Sequence, residues 1–291
     1  MKSTRPFCLA GCLLLALGMA AAHAAAPLQV TYPRPESRRD GRAGYPLELL
    51  RLALDHSGVA YDLRASPVPM QQARVLRQLA RGEGLDIAWS VTTRERERDL
   101  LPIRIPIDRG LIGWRVLLIR KDEQDRMHPV HTLSGLAALW GGQGHDWPDL
   151  DVLRANGLKV LPSPTYEGLF AMLQKGRIDY FPRAVAEVGP EMATHAYMGL
   201  TIEDHLLLHY PSALYFFVNP ANHRLADAVR LGLERAIADG SMDALFRRTY
   251  GSLPADLDLR HRDVIELANP DFPQDAPTDR PELWFQPGSA P

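Results

Sequence analysis

The chain has 291 residues, 46% of them hydrophobic and 23% charged, the composition of an ordinary globular protein, which excludes a disordered or fibrous chain. Lys plus Arg number 33 and Asp plus Glu 35, and a net charge of −2 gives no bulk electrostatic reason to bind nucleic acid or an anionic membrane. Both cysteines, Cys8 and Cys12, fall in the first segment; trimmed of it, the chain has no thiol, and disulfides, zinc–thiolate sites, iron–sulfur clusters and cysteine nucleophiles are excluded together.

That first segment (1–24) reads as an export signal. Lys2 and Arg5 supply the positive start, Phe7 to Ala20 the apolar run, and Ala22-His23-Ala24 the small residues of a cleavage site, with the cut expected after Ala24 or Ala26. Leu9-Ala10-Gly11-Cys12 also fits a lipid-attachment pattern, but most of the apolar run lies after Cys12, which favours a soluble exported protein in the periplasm. Loss of Lys2 and Arg5 takes 33 basic residues to 31 against 35 acidic ones, a net charge of −4. No later stretch is long and apolar enough to span a bilayer.

In chain order, short apolar or β-branched runs predict strands over Leu28 to Tyr32, Val59 to Arg64, Leu85 to Trp89, Leu111 to Arg120, Leu158 to Leu161, Ile178 to Phe181 and Ala213 to Val218. Helical spacing fills the gaps. Pro46 opens a helix whose apolar face is Leu47, Leu50, Ala53 and Leu54, and Gly58 closes it. Leu225, Ala228, Val229, Leu233, Ala236 and Ile237 mark another, ended by Gly240, after which Ser241 can cap a helix running through Tyr250. Such alternation predicts an α/β protein with largely parallel sheets. From Leu253 the chain turns Pro-rich (Pro254, Pro270, Pro273, Pro277, Pro281, Pro287), an irregular tail by composition, yet Leu283-Trp284-Phe285 is too apolar to stay free and is expected to dock on the body.

Five motifs stand in order: Gly44-Tyr45-Pro46-Leu47-Glu48-Leu49-Leu50; Leu85-Asp86-Ile87-Ala88-Trp89-Ser90-Val91-Thr92-Thr93-Arg94-Glu95-Arg96; Leu133-Ser134-Gly135-Leu136; Gly176-Arg177-Ile178-Asp179; and Asp239-Gly240-Ser241 with Thr249-Tyr250-Gly251. Together they resemble the type II periplasmic solute-binding proteins, specifically solute-binding protein family 3, the amino-acid-type substrate-binding proteins of ABC transporters, over roughly Leu28 to Gly251. The resemblance implies two lobes joined by two crossing strands, near Ile107 to Leu111 and Pro211 to Phe217. Lobe one would hold 27–108 plus 213–252, lobe two 109–212, and 253–291 would be the tail. It also implies a monomer that closes on a small ligand and docks on a membrane permease of an ABC transporter or, alternatively, on a membrane sensor.

Residue by residue, the resemblance makes Arg96 the arginine that grips a ligand carboxylate, with Ser90 and Thr92 adding hydroxyls and Trp89 beside them. The bland alternative is a solvated helix turn, because Arg94, Arg96 and Arg98 alternate with Glu95, Glu97 and Asp99. Tyr32 and Arg34 fall where the family carries an aromatic lid. Gly144, His145, Asp146 and Trp147 fall where it aims backbone amides at the ligand, although an acidic helix cap accounts for the same pattern. The family's ammonium-pairing aspartate is replaced by Ala184, with Arg183 beside it. If Arg183 faces the cleft, the ligand should carry two acidic groups or lack an amine; the alternative is that Arg183 simply pairs with Glu187.

No Gly-x-Ser-x-Gly, His-Glu-x-x-His or phosphate-binding glycine loop is present, and the tail is too short for the lysozyme-like domain of the fold's lytic relatives, so no enzyme and no cofactor are expected. His205 and His209 have a spacing that can bind metal, but Leu206-Leu207-Leu208 between them reads as buried strand, and no metal is expected there.

Overall fold

The computed structural model describes residues 26–35 and 40–286. The N-terminal segment read as an export signal, with Cys8 and Cys12, lies outside the described residues, as does Pro287. Among those described, no helix is long and apolar enough to cross a membrane.

The chain begins with β1 (Leu28–Arg34), α1 (Gly44–Ser57), β2 (Tyr61–Pro69), α2 (Gln72–Arg81), β3 (Ile87–Val91), α3 (Arg94–Asp99) and β4 (Leu101–Ile103). A second group follows: β5 (Trp114–Arg120), α4 (Gln124–Met127), α5 (Leu133–Leu136), β6 (Trp140–Gly144), α6 (Asp149–Ala155) and β7 (Lys159–Ser163). It continues through α7 (Tyr166–Gln174), β8 (Phe181–Ala184), α8 (Val185–Thr194), β9 (Leu200–Ile202) and β10 (Leu206–His209). The chain then returns with β11 (Leu214–Val218), α9 (His223–Ala238) and α10 (Ser241–Tyr250), and ends in α11 (Leu253–Asp256) and β12 (Asp263–Glu266).

Two sheets result. In the first, β1 lies parallel to β2, and β11 runs antiparallel between β3 and β4. Asp86 ties β1 to β3: its N–H bonds the Thr31 carbonyl at 2.9 Å and its carboxylate takes the Thr31 N–H at 2.8 Å. In the second the order is β12-β10-β5-β8 with β9 beside β5, and the β6–β7 pair reaches β8 through a Gly141–Tyr180 bridge. The sheets are therefore mixed, not largely parallel. Strands that arrive from the other lobe, β5 and β11, run against their neighbours, which a simple alternation of strand and helix does not encode.

The helix α1 starts at Gly44 with Pro46 in its first turn and stops at Gly58, whose φ of 77° suits a residue without a side chain. Its buried face (Leu49, Leu50, Ala53, Leu54) packs on α9 so closely that a β-carbon at Gly232 would stand 1.7 Å from the Ala53 carbonyl oxygen. The segments joining the lobes run side by side, Ile107 N–H to Leu214 O at 2.9 Å and Tyr210 N–H to Gly113 O at 3.2 Å. Between them Asp108, fully buried, accepts the N–H groups of Gly110 at 3.1 Å and Ile112 at 2.8 Å.

The tail is more ordered than its composition suggests. Its strand β12 pairs in parallel with β10, Leu206 opposite Asp263. Beyond it, Asn156 holds Ala268 through two bonds of 2.8 and 2.9 Å. The chain then crosses behind the hinge: Asn269 donates to Pro211 O, and the Phe285 N–H bonds Arg109 O at 2.7 Å. Trp284 and Phe272 pack on the apolar cluster of the first lobe, where Arg280 also grips Glu234 at 2.8 Å. Proline removes donors without preventing this, because the contacts use the remaining backbone groups and three large rings.

Candidate functional site

Between the lobes lies a cavity of about 140 Å³. The first lobe contributes Arg34, Asp40, Arg42, Gln72, Trp89 and Ser90; the second contributes Arg115, Trp147, Asp149, Arg183 and Glu187; Ile112 and Leu214 belong to the hinge. Beneath the cavity Val91, Ile112, Ala184 and Leu214 form an apolar cluster. The place where the family carries an ammonium-pairing aspartate is thus floored with hydrocarbon.

Arg96 lies behind two residues of the cavity wall, Ser90 and Gln72. Thr93 caps α3 by accepting the Arg96 N–H at 3.1 Å, and this short helix aims the side chain back towards β3. Its guanidinium donates to Ser90 Oγ at 2.7 Å, Val91 O at 2.8 Å, Gln72 Oε1 at 2.8 Å and, across the cleft, Asp146 O at 3.2 Å. Every one of these acceptors is neutral. Among the described residues no carboxylate forms an ion pair with it, and burial pulls its pKa down to about 10 despite the fields of Asp149 and Asp146.

Three other arginines of the cleft have their own anions, whereas Arg34 donates to the neutral Ser66 O at 2.9 Å. Arg42 bonds Asp40 at 2.7 Å and stands 5.2 Å from the Trp147 ring centre. Arg115, 1% exposed, donates to Asp149 at 2.5 Å, and Tyr210 donates its hydroxyl to the same carboxylate. Arg183, also 1% exposed, forms a two-pronged pair with Glu191 at 2.5 and 2.8 Å and reaches Glu187 at 2.7 Å. Burial opposes its charge, but Glu187 and Glu191 outweigh that and raise its pKa. Arg183 does face the cavity, yet the pairing with Glu187 holds as well, from strand β8 to helix α8. Its charge is spent within the second lobe.

Of the residues singled out from sequence, Arg34, Trp89, Ser90, Trp147 and Arg183 line this cavity. Arg96, His145 and Asp146 line a neighbouring one, which shares the Trp147 wall and is closed by Asn269, Pro270 and Asp271 of the tail. Three stand outside both walls. Thr92 turns its hydroxyl to Glu97 at 2.6 Å, Tyr32 lies behind Trp89 with ring centres 6.4 Å apart, and Gly144 is covered by the Trp147 ring. A β-carbon on Gly144 would meet that ring at 2.4 Å, so packing demands glycine there. Ser90 accepts a bond from Arg96, which leaves its own O–H available to donate. Sequence reasoning missed Asp40, Arg42, Arg115 and Asp149, and named Glu187 only as a partner for Arg183. For Arg115 a signal existed, a charge inside the otherwise apolar run Trp114–Ile119, which requires a buried partner.

The lobes also bond one another directly. The Asp146 carboxylate takes the Ala73 N–H at 2.9 Å, and Gln71 donates to Pro164 O at 2.9 Å. With the Arg96–Asp146 bond these contacts hold the cleft shut.

No protein-family model matches the sequence, and no curated protein matches it. Solved structures do. An ancestral arginine-binding protein bound to arginine is 18% identical, with a TM-score of 0.58 over 79% of this chain and 100% of that one. An arginine-specific periplasmic binding protein of Salmonella typhimurium is 15% identical, with a TM-score of 0.58 over 77% and 99%. A histidine kinase sensor domain with similarity to periplasmic binding proteins is 16% identical, with a TM-score of 0.58 over 78% and 97%. The chain therefore has the two-lobed, type II periplasmic-binding-protein fold with two crossing strands at the hinge.

Proposed function

We propose that this protein is a periplasmic solute-binding protein that captures a small carboxylate-bearing ligand by closing its lobes, 27–108 plus 213–252 against 109–212, and presents it to the permease of an ABC transporter. The observation that carries this reading is the isolation of Arg96. Its neighbours Arg42, Arg115 and Arg183 each bond a carboxylate of their own, whereas Arg96 is held by four neutral oxygens from both lobes. A ligand carboxylate that replaces Gln72 and Asp146 in this set gains a charge-assisted bond of about 1.5–3 kcal/mol. A ligand held by Arg96 on the first lobe that also touches Trp147 on the second binds the closed state better than the open one, and that difference drives closure.

Charge balance narrows the ligand. Arg183 is answered by Glu187 and Glu191, which removes the electrostatic reason for a second acidic group. The apolar floor at Ala184 offers an ammonium no partner, and the carboxylates of the walls, Asp40, Asp149 and Glu187, are already held by Arg42, Arg115 and Arg183. The preferred ligand is accordingly a monocarboxylate of about amino-acid size, its apolar body lying between Trp89 and Trp147. A sensory role, in which the closed protein docks on a membrane receptor, is the second reading; the likeness to a kinase sensor domain favours it.

Thermal shift of the mature protein against amino acids, monocarboxylates, dicarboxylates, opines and peptides tests this, since a ligand confined to the folded state raises the melting point. A monocarboxylate should stabilise the wild type, and Arg96→Ala should abolish the shift while keeping the far-UV spectrum. Unchanged affinity in Arg96→Ala, or a preference for a basic amino acid, would remove the assignment.

A further inference from the structure

At the far end of the second lobe, away from the cleft, three segments distant in sequence bring metal-ligand chemistry together. His131 lies in the loop before α5, His205 leads into β10, and Asp263 opens β12 of the tail. One ligand atom from each lies within 4.8 Å of the others. His131 Nδ1 already stands 2.6 Å from Asp263 Oδ2. Two imidazoles and a carboxylate form a set that suits zinc and its neighbours among the divalent transition metals.

Two further features favour a cation. The Val130 carbonyl, which only accepts, lies 2.8 Å from His205 Nε2 and so keeps a proton there, leaving Nδ1 to take a second proton or a metal ion. Glu203 and Asp204 crowd that same Nδ1 at 2.5 and 3.2 Å. Against the three carboxylates of Glu203, Asp204 and Asp263 stands the single guanidinium of Arg262, 3.8 Å from Glu203. The cluster carries excess negative charge, which a divalent ion neutralises.

We propose that His131, His205 and Asp263 form a divalent transition-metal site that bolts the root of the C-terminal tail to the second lobe. Glu203 and Asp204 supply the surrounding negative charge. The ion joins the loop before α5 and the β10 edge to β12, where the Asp263 N–H already bonds His205 O at 2.7 Å. Its action is structural, and it is independent of the ligand cleft.

The test is calorimetric titration of zinc into chelator-treated mature protein in a non-coordinating buffer, with thermal melts in zinc and in chelator. One saturable equivalent and a raised melting point are expected. His131→Ala and Asp263→Asn, both at exposed positions, should each weaken zinc binding by about tenfold or more. His223→Ala, on an unrelated helix, should leave it unchanged. Cobalt should bind with the intense visible absorption of a low-coordinate site in the wild type and lose it in His131→Ala. Absence of a stoichiometric site, or equal zinc binding by wild type, His131→Ala and Asp263→Asn, would overturn the assignment and leave the cluster a proton-bridged network.

Discussion

Arg115 has a full charge and almost no water, and its stability rests on Asp149, with Tyr210 holding the other side of that carboxylate. Removing one member of a buried pair leaves the other uncompensated, at a cost of about 3–5 kcal/mol. Asp149→Ala should therefore lower unfolding stability by that amount in urea titrations. Arg115→Met in the same background should recover much of it; a loss below about 1 kcal/mol in the single variant would show that Asp149 is not the counter-ion. Asp108 gives a pH dependence instead. Burial pushes its carboxyl up to about 7, against the pull of two backbone N–H groups. The folded protein then keeps a proton that the unfolded chain releases above about pH 4, so stability should fall as pH rises from about 4 to 7 and level off beyond. Asp108→Asn should flatten that slope in denaturation series at pH 5, 6 and 7.5; equal slopes in both proteins would contradict it. Residues of the cleft also differ in legibility. Arg96 stands out in the sequence by its motif, because the Thr93 cap and the turn that follows are local. The pairs Arg115–Asp149 and Arg183–Glu191 link separate elements, and no spacing rule encodes them.

At the level of elements, close packing identifies which glycines are structural. Gly232 lets α9 touch the backbone of α1, and a methyl group there would stand 1.7 Å from the Ala53 carbonyl oxygen. Gly232→Ala should cost about 1–3 kcal/mol by overpacking, although alanine is the better helix former. A gain in stability would mean that the helices sit further apart. The helices themselves were readable: Pro46 and Gly58 bracket α1, and Ser241 to Tyr250 is α10, although its cap position is Gly240 and not Ser241. Strands were harder. β6 is Trp-Gly-Gly-Gln-Gly, with no strand-forming side chain except Trp140; its Gly141 and Gly142 make room for Tyr180 and Ile178. β12 buries one side chain, Ile265, and exists because the β10 edge offers it hydrogen bonds. A run of four residues with two adjacent apolar positions, only one of them buried, carries no period to detect.

In the whole molecule, the C-terminal tail makes a third connection between the lobes. It leaves the second lobe at β12 and Ala268, crosses Pro211 and Arg109 at the hinge, and ends on Glu234 and the Trp284 cluster of the first lobe. Two crossing strands alone permit rotation about the hinge, whereas a segment anchored on both lobes behind them restrains it. Opening must then either stretch the tail or release its anchors in the first lobe. A chain ending at Ala268 keeps β12 and loses those anchors. Its lobes should spend more time apart, which small-angle scattering would register as a larger radius of gyration in the absence of ligand. The apparent affinity for any ligand that binds between the lobes should fall in proportion to the lost closed fraction. Arg280→Ala with Trp284→Ala in the full-length chain should reproduce part of both effects without changing its length. If scattering and affinity are the same with and without 269–291, the tail is a passive cover and the two crossing strands alone set the hinge.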